Sequence, residues 1–93
     1  MTTEINTSDT RRKRMRFRAW HRGMQEMDLL LGRFADAHLA ALSDTDLGHF
    51  EVLLQCADQD LYPWVTGAQA WPAHLDNELA RRLTEFTLRG PGC

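Results

Sequence analysis

Arg22 and Glu26 are the two charged residues whose spacing most clearly allows a joint contact with a partner. Placed at i and i+4 where a helix is predicted to begin, they share one face and can form an ion pair, which contributes only about 0.3–0.5 kcal/mol. Gly23 lies between them and costs roughly 1 kcal/mol in a helix interior, so it marks a special backbone angle or a close approach by another group. Two interpretations remain open: an ordinary surface ion pair beside a hinge, or a notch between a fixed cation and a fixed anion into which the backbone of a partner presses.

The remaining residues with reactive side chains do not form a catalytic or metal-binding pattern. The histidines and the internal cysteine lack the i, i+4 or C-x-x-C spacing of a metal site: His21, His38, His49, His74 and Cys56. Cys56 falls on a predicted core position of a helix, without the local partner that activates a nucleophile. Asp58 and Asp60 could act as acid and base, but Asp58 can equally cap a helix while Leu61 and Trp64 anchor the segment in the core. No glycine-rich phosphate loop is present, so we expect neither an enzyme nor an intrinsically bound cofactor or metal.

Positive charge is concentrated in one short stretch, although the net charge of the chain is only −2. Clustered arginines beside Phe17 and Trp20 could neutralise phosphates and stack on bases, as in a nucleic-acid surface. The same residues could instead contact an acidic partner protein or the chain's own carboxylates. Because the chain as a whole is slightly acidic, no nucleic-acid partner is expected, and a small nucleic-acid-binding or regulatory helical adaptor is kept as the alternative function. The stretch comprises Arg11, Arg12, Lys13, Arg14, Arg16, Arg18 and Arg22.

Size and composition limit the class of protein. The 93 residues, 43% hydrophobic and 26% charged, allow one compact domain with a thin core and little room for a substrate cavity. Apolar runs such as residues 29–31 are far shorter than the roughly 20 residues of a membrane span, so no membrane insertion is expected. The N-terminus lacks the apolar segment of a secretory signal, and Glu4 and Asp9 argue against an acid-poor transit peptide. These features favour a bacterial cytoplasmic location without a disulfide between Cys56 and Cys93.

The periodicity of apolar residues predicts an all-α fold, a single small bundle of about five helices. The helices are expected over about 10–21, about 24–42, from a cap at Ser43, from Asp58 to Val65, and from Pro72 to about residue 88. The second helix has the clearest apolar face and should form the spine of the fold. Its predicted inward residues are Met24, Met27, Leu31, Phe34, His38 and Leu42, with Leu30, Ala35 and Leu39 as a second stripe; Leu47, Phe50, Leu53, Leu54 and Ala57 follow on the third helix, and Leu75, Leu79, Leu83 and Phe86 on the last.

Turn residues set the predicted boundaries. Pro63 fits only the first turn of a short fourth helix or a bend, and Gly67 is expected to close that segment. Trp71, extended because Pro72 follows it, is expected to pack over the end of the bundle. The resulting domain organisation is a flexible N-terminal tail at 1–8, a helical domain at 9–88 and a flexible C-terminal tail at 89–93.

Two blocks of this sequence resemble the succinate dehydrogenase assembly factor 2 family, the SdhE-like flavin-attachment assembly factors. The first block, Arg22-Gly23-Met24-Gln25-Glu26-Met27-Asp28, fits the Arg-Gly-x-x-Glu signature of the family, followed by Leu29-Leu30-Leu31-Gly32-Arg33-Phe34. The second block runs from Leu53-Leu54 through Asp58-Gln59-Asp60-Leu61-Tyr62-Pro63-Trp64-Val65. The resemblance covers roughly Arg14 to Phe86 and leaves the N-terminal extension and Cys93 outside it.

The resemblance implies a function as well as a fold. Members of this all-helical family bind the flavoprotein subunit of succinate dehydrogenase or fumarate reductase and promote covalent attachment of FAD to a histidine of that subunit, which itself carries out the linkage chemistry. The chain would then hold no FAD of its own. By this resemblance the partner-binding residues are Arg22, Gly23, Met24, Glu26 and Asp28, with Gly23 allowing close contact and the charged residues supplying polar bonds. The corresponding mechanism is that docking restrains a mobile domain of the flavoprotein, so that histidine and flavin keep their reacting geometry.

Overall fold

The computed structural model describes residues 7–89, and its side chains are described from residue 9 onward. Within this range the chain contains five α-helices and two short 3-10 turns, with no β-strand. The all-α prediction is therefore confirmed, while the predicted tails fall largely on 1–6 and 90–93, outside the described residues. The helices are α1 (Thr7–Trp20), α2 (Gln25–His38), α3 (Asp44–Leu54), α4 (Asp58–Val65) and α5 (Glu78–Arg89), and the 3-10 turns are Leu39–Ala41 and Ala73–Leu75.

All five helices contribute side chains to one apolar core. From α1, Met15 and Ala19 face inward at the i, i+4 spacing that places residues on one helix face. Most of the predicted inward positions are confirmed as buried, and Phe86 packs partly buried against the same cluster. The most completely buried large side chains are Phe34, Phe50, Met15, Met27, Leu31, Leu47, Leu53, Leu61, Leu79, Leu83 and Val65.

Three predicted core residues lie outside this core. Met24 precedes α2 and its side chain is 37% exposed. His38 is exposed at the last position of α2, where its ring contacts the ring of Phe86 edge-on at 5.6 Å. Ala57 is exposed because α3 ends three residues earlier, at Leu54. Each of these residues lies at or beyond one terminus of its observed helix. The apolar periodicity of a helix does not place a side chain in the core there.

Two predicted helix boundaries are confirmed by their capping geometry. The side chain of Ser43 accepts a hydrogen bond from the backbone N–H of Asp46, which satisfies a free donor in the first turn of α3. Gly67 follows α4 with φ +82, the left-handed conformation that glycine adopts most readily after a helix C-terminus. Trp71 also packs as predicted: its ring lies 5.7 Å from that of Trp64 and its Nε1–H donates to Thr84 Oγ1 at 2.8 Å.

The expectations for both internal prolines were wrong. Pro63 is the sixth residue of α4, in its second turn rather than its first. This placement costs one intrahelical hydrogen bond, which a helix ending two residues later at Val65 tolerates. Pro72 does not open the last helix; it precedes the 3-10 turn, and α5 begins only at Glu78, where Asn77 Oδ1 accepts from the N–H of Ala80 at 2.8 Å.

Candidate partner-binding site

The turn between α1 and α2 carries the Arg-Gly-x-x-Glu segment, and Gly23 sets its geometry. Gly23 has φ +97, a conformation that residues with a Cβ rarely adopt. Apart from its two chain neighbours, no described residue has an atom within 4 Å of a Cβ built on Gly23, and the residue is exposed. Two conclusions follow: the backbone angle favours glycine here, and any side chain at this position would project outward into open space.

Arg22 faces the protein interior, unlike Gly23. Its side chain is only 8% exposed, and its Nε donates to Asp58 Oδ1 at 2.8 Å. The two terminal nitrogens donate to backbone carbonyls at the end of α3, Nη1 to Leu54 at 2.6 Å and Nη2 to Cys56. The guanidinium thus joins the α1–α2 turn to the α3–α4 turn through a charged partner and two carbonyls that need donors.

The predicted ion pair between Arg22 and Glu26 does not form. Glu26 instead accepts a hydrogen bond at Oε2 from the hydroxyl of Tyr62, at 2.9 Å. This carboxylate raises the pKa of Tyr62, because it stabilises the neutral phenol as a donor and repels the phenolate. The i, i+4 rule does not apply to this pair, because Arg22 precedes α2 and turns inward. Each residue pairs instead with a side chain of α4.

Asp28 supports the turn from within α2. Its Oδ1 accepts from the backbone N–H of Arg22 at 2.5 Å, and its own N–H donates to the carbonyl of Met24 at 2.9 Å. These two bonds hold both ends of the short connection around Gly23. The five predicted partner-binding residues therefore divide into two groups: Arg22 and Asp28 bind within the protein, whereas Gly23, Met24 and Glu26 are exposed. Their contact with a partner stays a prediction.

Asp58 and Tyr62 are the residues of this site that the sequence reasoning missed. Asp58 was predicted to cap α4, yet Ala57 is the N-cap residue and the Asp58 side chain pairs with Arg22. Tyr62 had no assigned role. No local pattern indicates either residue, because each pairs with a residue 36 positions away in the sequence.

Cys56 lies beside this site but is poorly suited to nucleophilic chemistry. It is half-buried in the α3–α4 turn, not within a helix as predicted, and its thiol donates to the carbonyl of Val52 at 3.6 Å. Burial raises the pKa of this thiol, with the nearby Arg22 opposing the effect. A raised pKa leaves less thiolate at neutral pH, and the thiolate is the reactive form.

The basic stretch of α1 is largely used for packing within the protein. Arg11 pairs with Glu51 at 2.9 Å, and Arg16 pairs with Asp36 at 2.6 Å. Arg12 donates to the carbonyl of Leu39, in the 3-10 turn after α2, at 3.2 Å, and to the carbonyl of Leu42, directly after that turn, at 2.8 Å. Arg18 donates to the Leu54 carbonyl at 3.4 Å. Four of the six basic residues of the stretch that lie outside the turn thus have partners inside the chain, which weakens the case for a phosphate-binding surface.

The described residues contain neither a metal-ligand cluster nor a membrane-spanning helix. Over the described part of the chain, no three side chains of His, Cys, Asp and Glu converge in the way that metal coordination requires. None of the helices between residues 7 and 89 combines the length and apolarity that crossing a bilayer demands.

The fold and the site together define a small all-helical protein with an exposed glycine turn between its first two helices. The chain belongs to the family described as the flavinator of succinate dehydrogenase, Sdh5, whose model matches residues 13–87. This result confirms the resemblance seen in the Arg-Gly-x-x-Glu segment.

Curated relatives agree with the family assignment. The chain is 43% identical over 60 residues to succinate dehydrogenase assembly factor 2, mitochondrial, of Meyerozyma guilliermondii, which covers 64% of the chain and 44% of that protein. It is 35% identical over 75 residues to FAD assembly factor SdhE of Acetobacter pasteurianus, covering 81% and 69%. It is 31% identical over 91 residues to the mitochondrial assembly factor 2 of Dictyostelium discoideum, covering 98% and 64%. The chain therefore spans about half to two thirds of the length of these relatives.

The expected bacterial cytoplasmic location was wrong. The relatives from Meyerozyma guilliermondii and Dictyostelium discoideum are mitochondrial proteins of eukaryotes, although the one from Acetobacter pasteurianus is bacterial. The composition of the first residues could not decide this question, because a fold of this kind occurs in relatives of both origins.

Proposed function

We propose that this chain is an assembly factor that docks on the flavoprotein subunit of succinate dehydrogenase and promotes covalent attachment of FAD to that subunit. Family membership supports the general role. The observation that carries the proposal is the arrangement at the α1–α2 turn, where Gly23, Met24 and Glu26 are exposed while the buried side chain of Arg22 pairs with Asp58 of α4. A rigid exposed turn of this kind loses little conformational entropy when a partner covers it.

The chain acts as a binding factor and not as the catalyst in this proposal. The half-buried thiol of Cys56 has a raised pKa, and Arg22 and Glu26 are engaged in hydrogen bonds with Asp58 and Tyr62 of α4. FAD is the group handled on the partner, where the flavoprotein supplies the reacting histidine. Docking holds that histidine and the flavin in reacting geometry. This lowers the entropic part of the activation free energy, because the two groups are already oriented before they react.

A reconstitution with matched glycine variants tests the proposal. The purified chain is mixed with FAD and the cognate flavoprotein subunit lacking covalent flavin, and covalent flavin is measured by fluorescence of the denatured subunit in a gel. Gly23→Arg is compared with Gly67→Arg, because both glycines are exposed, have positive φ and have open space around a Cβ. Both variants carry similar backbone strain. Only Gly23→Arg places a bulky cation on the proposed docking surface.

We expect the wild-type chain and Gly67→Arg to promote flavin attachment and Gly23→Arg to lose this effect with its helical content unchanged. Equal performance of the two variants would remove the α1–α2 turn from the docking surface. No acceleration by the wild-type chain would contradict the proposed function itself. A parallel reaction with the flavoprotein subunit of fumarate reductase determines whether the factor serves that enzyme also.

A further inference from the structure

We propose that Tyr62 is a positioning residue for docking, because its hydroxyl holds the exposed carboxylate of Glu26 in the orientation that the flavoprotein recognises. This inference rests on the proposed function. Glu26 lies in the first turn of α2 and is exposed, whereas the ring of Tyr62 is half-buried on α4 and packs against the core. The 2.9 Å hydrogen bond therefore joins the exposed side chain of Glu26 to the packed side chain of Tyr62.

Glu26 needs such a partner to be an effective docking group. A glutamate side chain has several rotatable bonds, and ordering it on binding opposes association. A tyrosine has only two side-chain dihedrals, so it is a rigid support for the carboxylate. The Tyr62 hydroxyl engages Oε2, which leaves the second oxygen of the carboxylate able to accept from a partner.

A second contact of α4, made by Asp58, fixes the position of the helix that carries Tyr62. Asp58 lies one helical turn earlier on α4, and its carboxylate pairs with the buried Arg22 guanidinium at 2.8 Å. α4 is thereby fastened to the α1–α2 turn at Asp58 and to the start of α2 at Tyr62. Through these two contacts, α4 holds both the turn that contains Gly23 and the carboxylate of Glu26. The two parts of the proposed docking surface therefore keep a fixed relative position.

The contact can be tested apart from binding, since Tyr62 is the single tyrosine of the chain. Spectrophotometric titration of the phenol therefore reports this residue alone. Because Glu26 raises the pKa of Tyr62, the Glu26→Gln variant should titrate at a lower pH than the wild-type chain. An unchanged titration curve would show that the hydroxyl does not pair with Glu26 in solution and would overturn the inference.

A double-mutant cycle tests the role in docking, with the affinity of the chain for the cognate flavin-free flavoprotein subunit as the measured quantity. We expect Tyr62→Phe to weaken binding about fivefold, the effect of freeing one long side chain. In the Glu26→Ala background the same substitution should have no further effect, because the side chain that Tyr62 orients is then absent. Thr84→Val, which removes a hydroxyl bonded to Trp71 and not to this turn, is the matched control and should bind normally.

The outcomes separate the two proposals. Tyr62→Phe with wild-type affinity, or with the same loss in both backgrounds, overturns the positioning role while leaving the assembly function intact. Failure of the wild-type chain to bind the flavoprotein would contradict the proposed function and the positioning role together.

Discussion

The indole of Trp20 lies directly against the backbone of Gly32, where α1 crosses α2. A Cβ built on Gly32 would fall 2.2 Å from Trp20 Cδ2, far inside the contact distance of two carbon atoms. One turn later on α2, Asp36 Oδ1 accepts from Trp20 Nε1 at 3.3 Å and from Arg16 Nε at 2.6 Å. Gly32 is thus a glycine because a ring occupies its side-chain space, and this packing fixes the end of α1 from which the Gly23 turn departs.

Replacement of Gly32 by alanine should destabilise the fold by about 1–3 kcal/mol, since the methyl group forces apart two packed helices. Gly48 in α3 provides the matched control, because a Cβ there meets only Arg11 Nη2 at 3.9 Å. Gly48→Ala should be neutral or stabilising by up to about 1 kcal/mol, from helix propensity alone. Chemical denaturation of the three proteins checks this. Two alanine variants with equal stabilities would contradict the close packing of Trp20.

The helices were predictable from the sequence because their apolar periodicity is local information. Leu31 and Phe34 read as core residues from spacing alone, and both are completely buried. The cap at Ser43 and the turn at Gly67 were equally readable, since each depends on the chemistry of a few adjacent residues.

The contacts that shape the candidate site were not predictable in this way. Arg22 and Asp58 are 36 residues apart, as are Glu26 and Tyr62, so their pairing depends on how α4 packs beside the start of α2. A local i, i+4 rule favours Arg22 with Glu26 and contains no information on the competing partners. Likewise, the spacing of Gly32 gives no indication that an aromatic ring from another helix covers it.

Loss of the Arg22 guanidinium should cost stability, because it is a buried charge with several partners. Arg22→Met leaves Asp58 without its cation and the Leu54 and Cys56 carbonyls without these donors. We expect a loss of about 3 kcal/mol, as for one half of a largely buried ion pair. Arg22→Lys should lose less, since a single ammonium cannot reach all three acceptors but keeps the charge.

Arg81→Met is the control for the Arg22 variants. The Arg81 side chain is 63% exposed, and its carboxylate partners Asp76 and Glu78 lie 3.5 and 3.6 Å away. The substitution should therefore lower the free energy of unfolding by less than about 1 kcal/mol. Urea denaturation measures all three proteins. If Arg22→Met were as stable as Arg81→Met, the guanidinium would be a surface contact and not the anchor of the turn.

Acid should weaken the fold partly through Glu51. The hydrogen bond from Arg11 holds the pKa of Glu51 below its ordinary value of about 4.3. A carboxylate with a lower pKa in the folded state contributes stability that is present above the unfolded pKa and is lost as the pH falls through the folded pKa. The denaturation midpoint of the wild-type chain should therefore drop between about pH 5 and pH 3 more steeply than that of Glu51→Gln.

Arg11→Met tests the cause of this pH dependence. Without the guanidinium, Glu51 loses the main interaction that lowers its pKa, so this variant should show the same shallower acid slope as Glu51→Gln. An unchanged slope in Arg11→Met would assign the effect to other groups.

Met24 gives the proposed docking surface a testable apolar component. Met24 is a large apolar residue that is 37% exposed next to Gly23. Leu88 near the end of α5 is more exposed, at 67%, and belongs to a different part of the molecule. We expect Met24→Lys to weaken flavoprotein binding about tenfold, the loss typical of one interface anchor of about 1.4 kcal/mol. Leu88→Lys should bind normally, and both variants should unfold at the wild-type denaturant concentration. If instead Leu88→Lys were the variant that lost affinity, the flavoprotein would dock on α5, and the exposed turn around Gly23 would serve only to connect two helices.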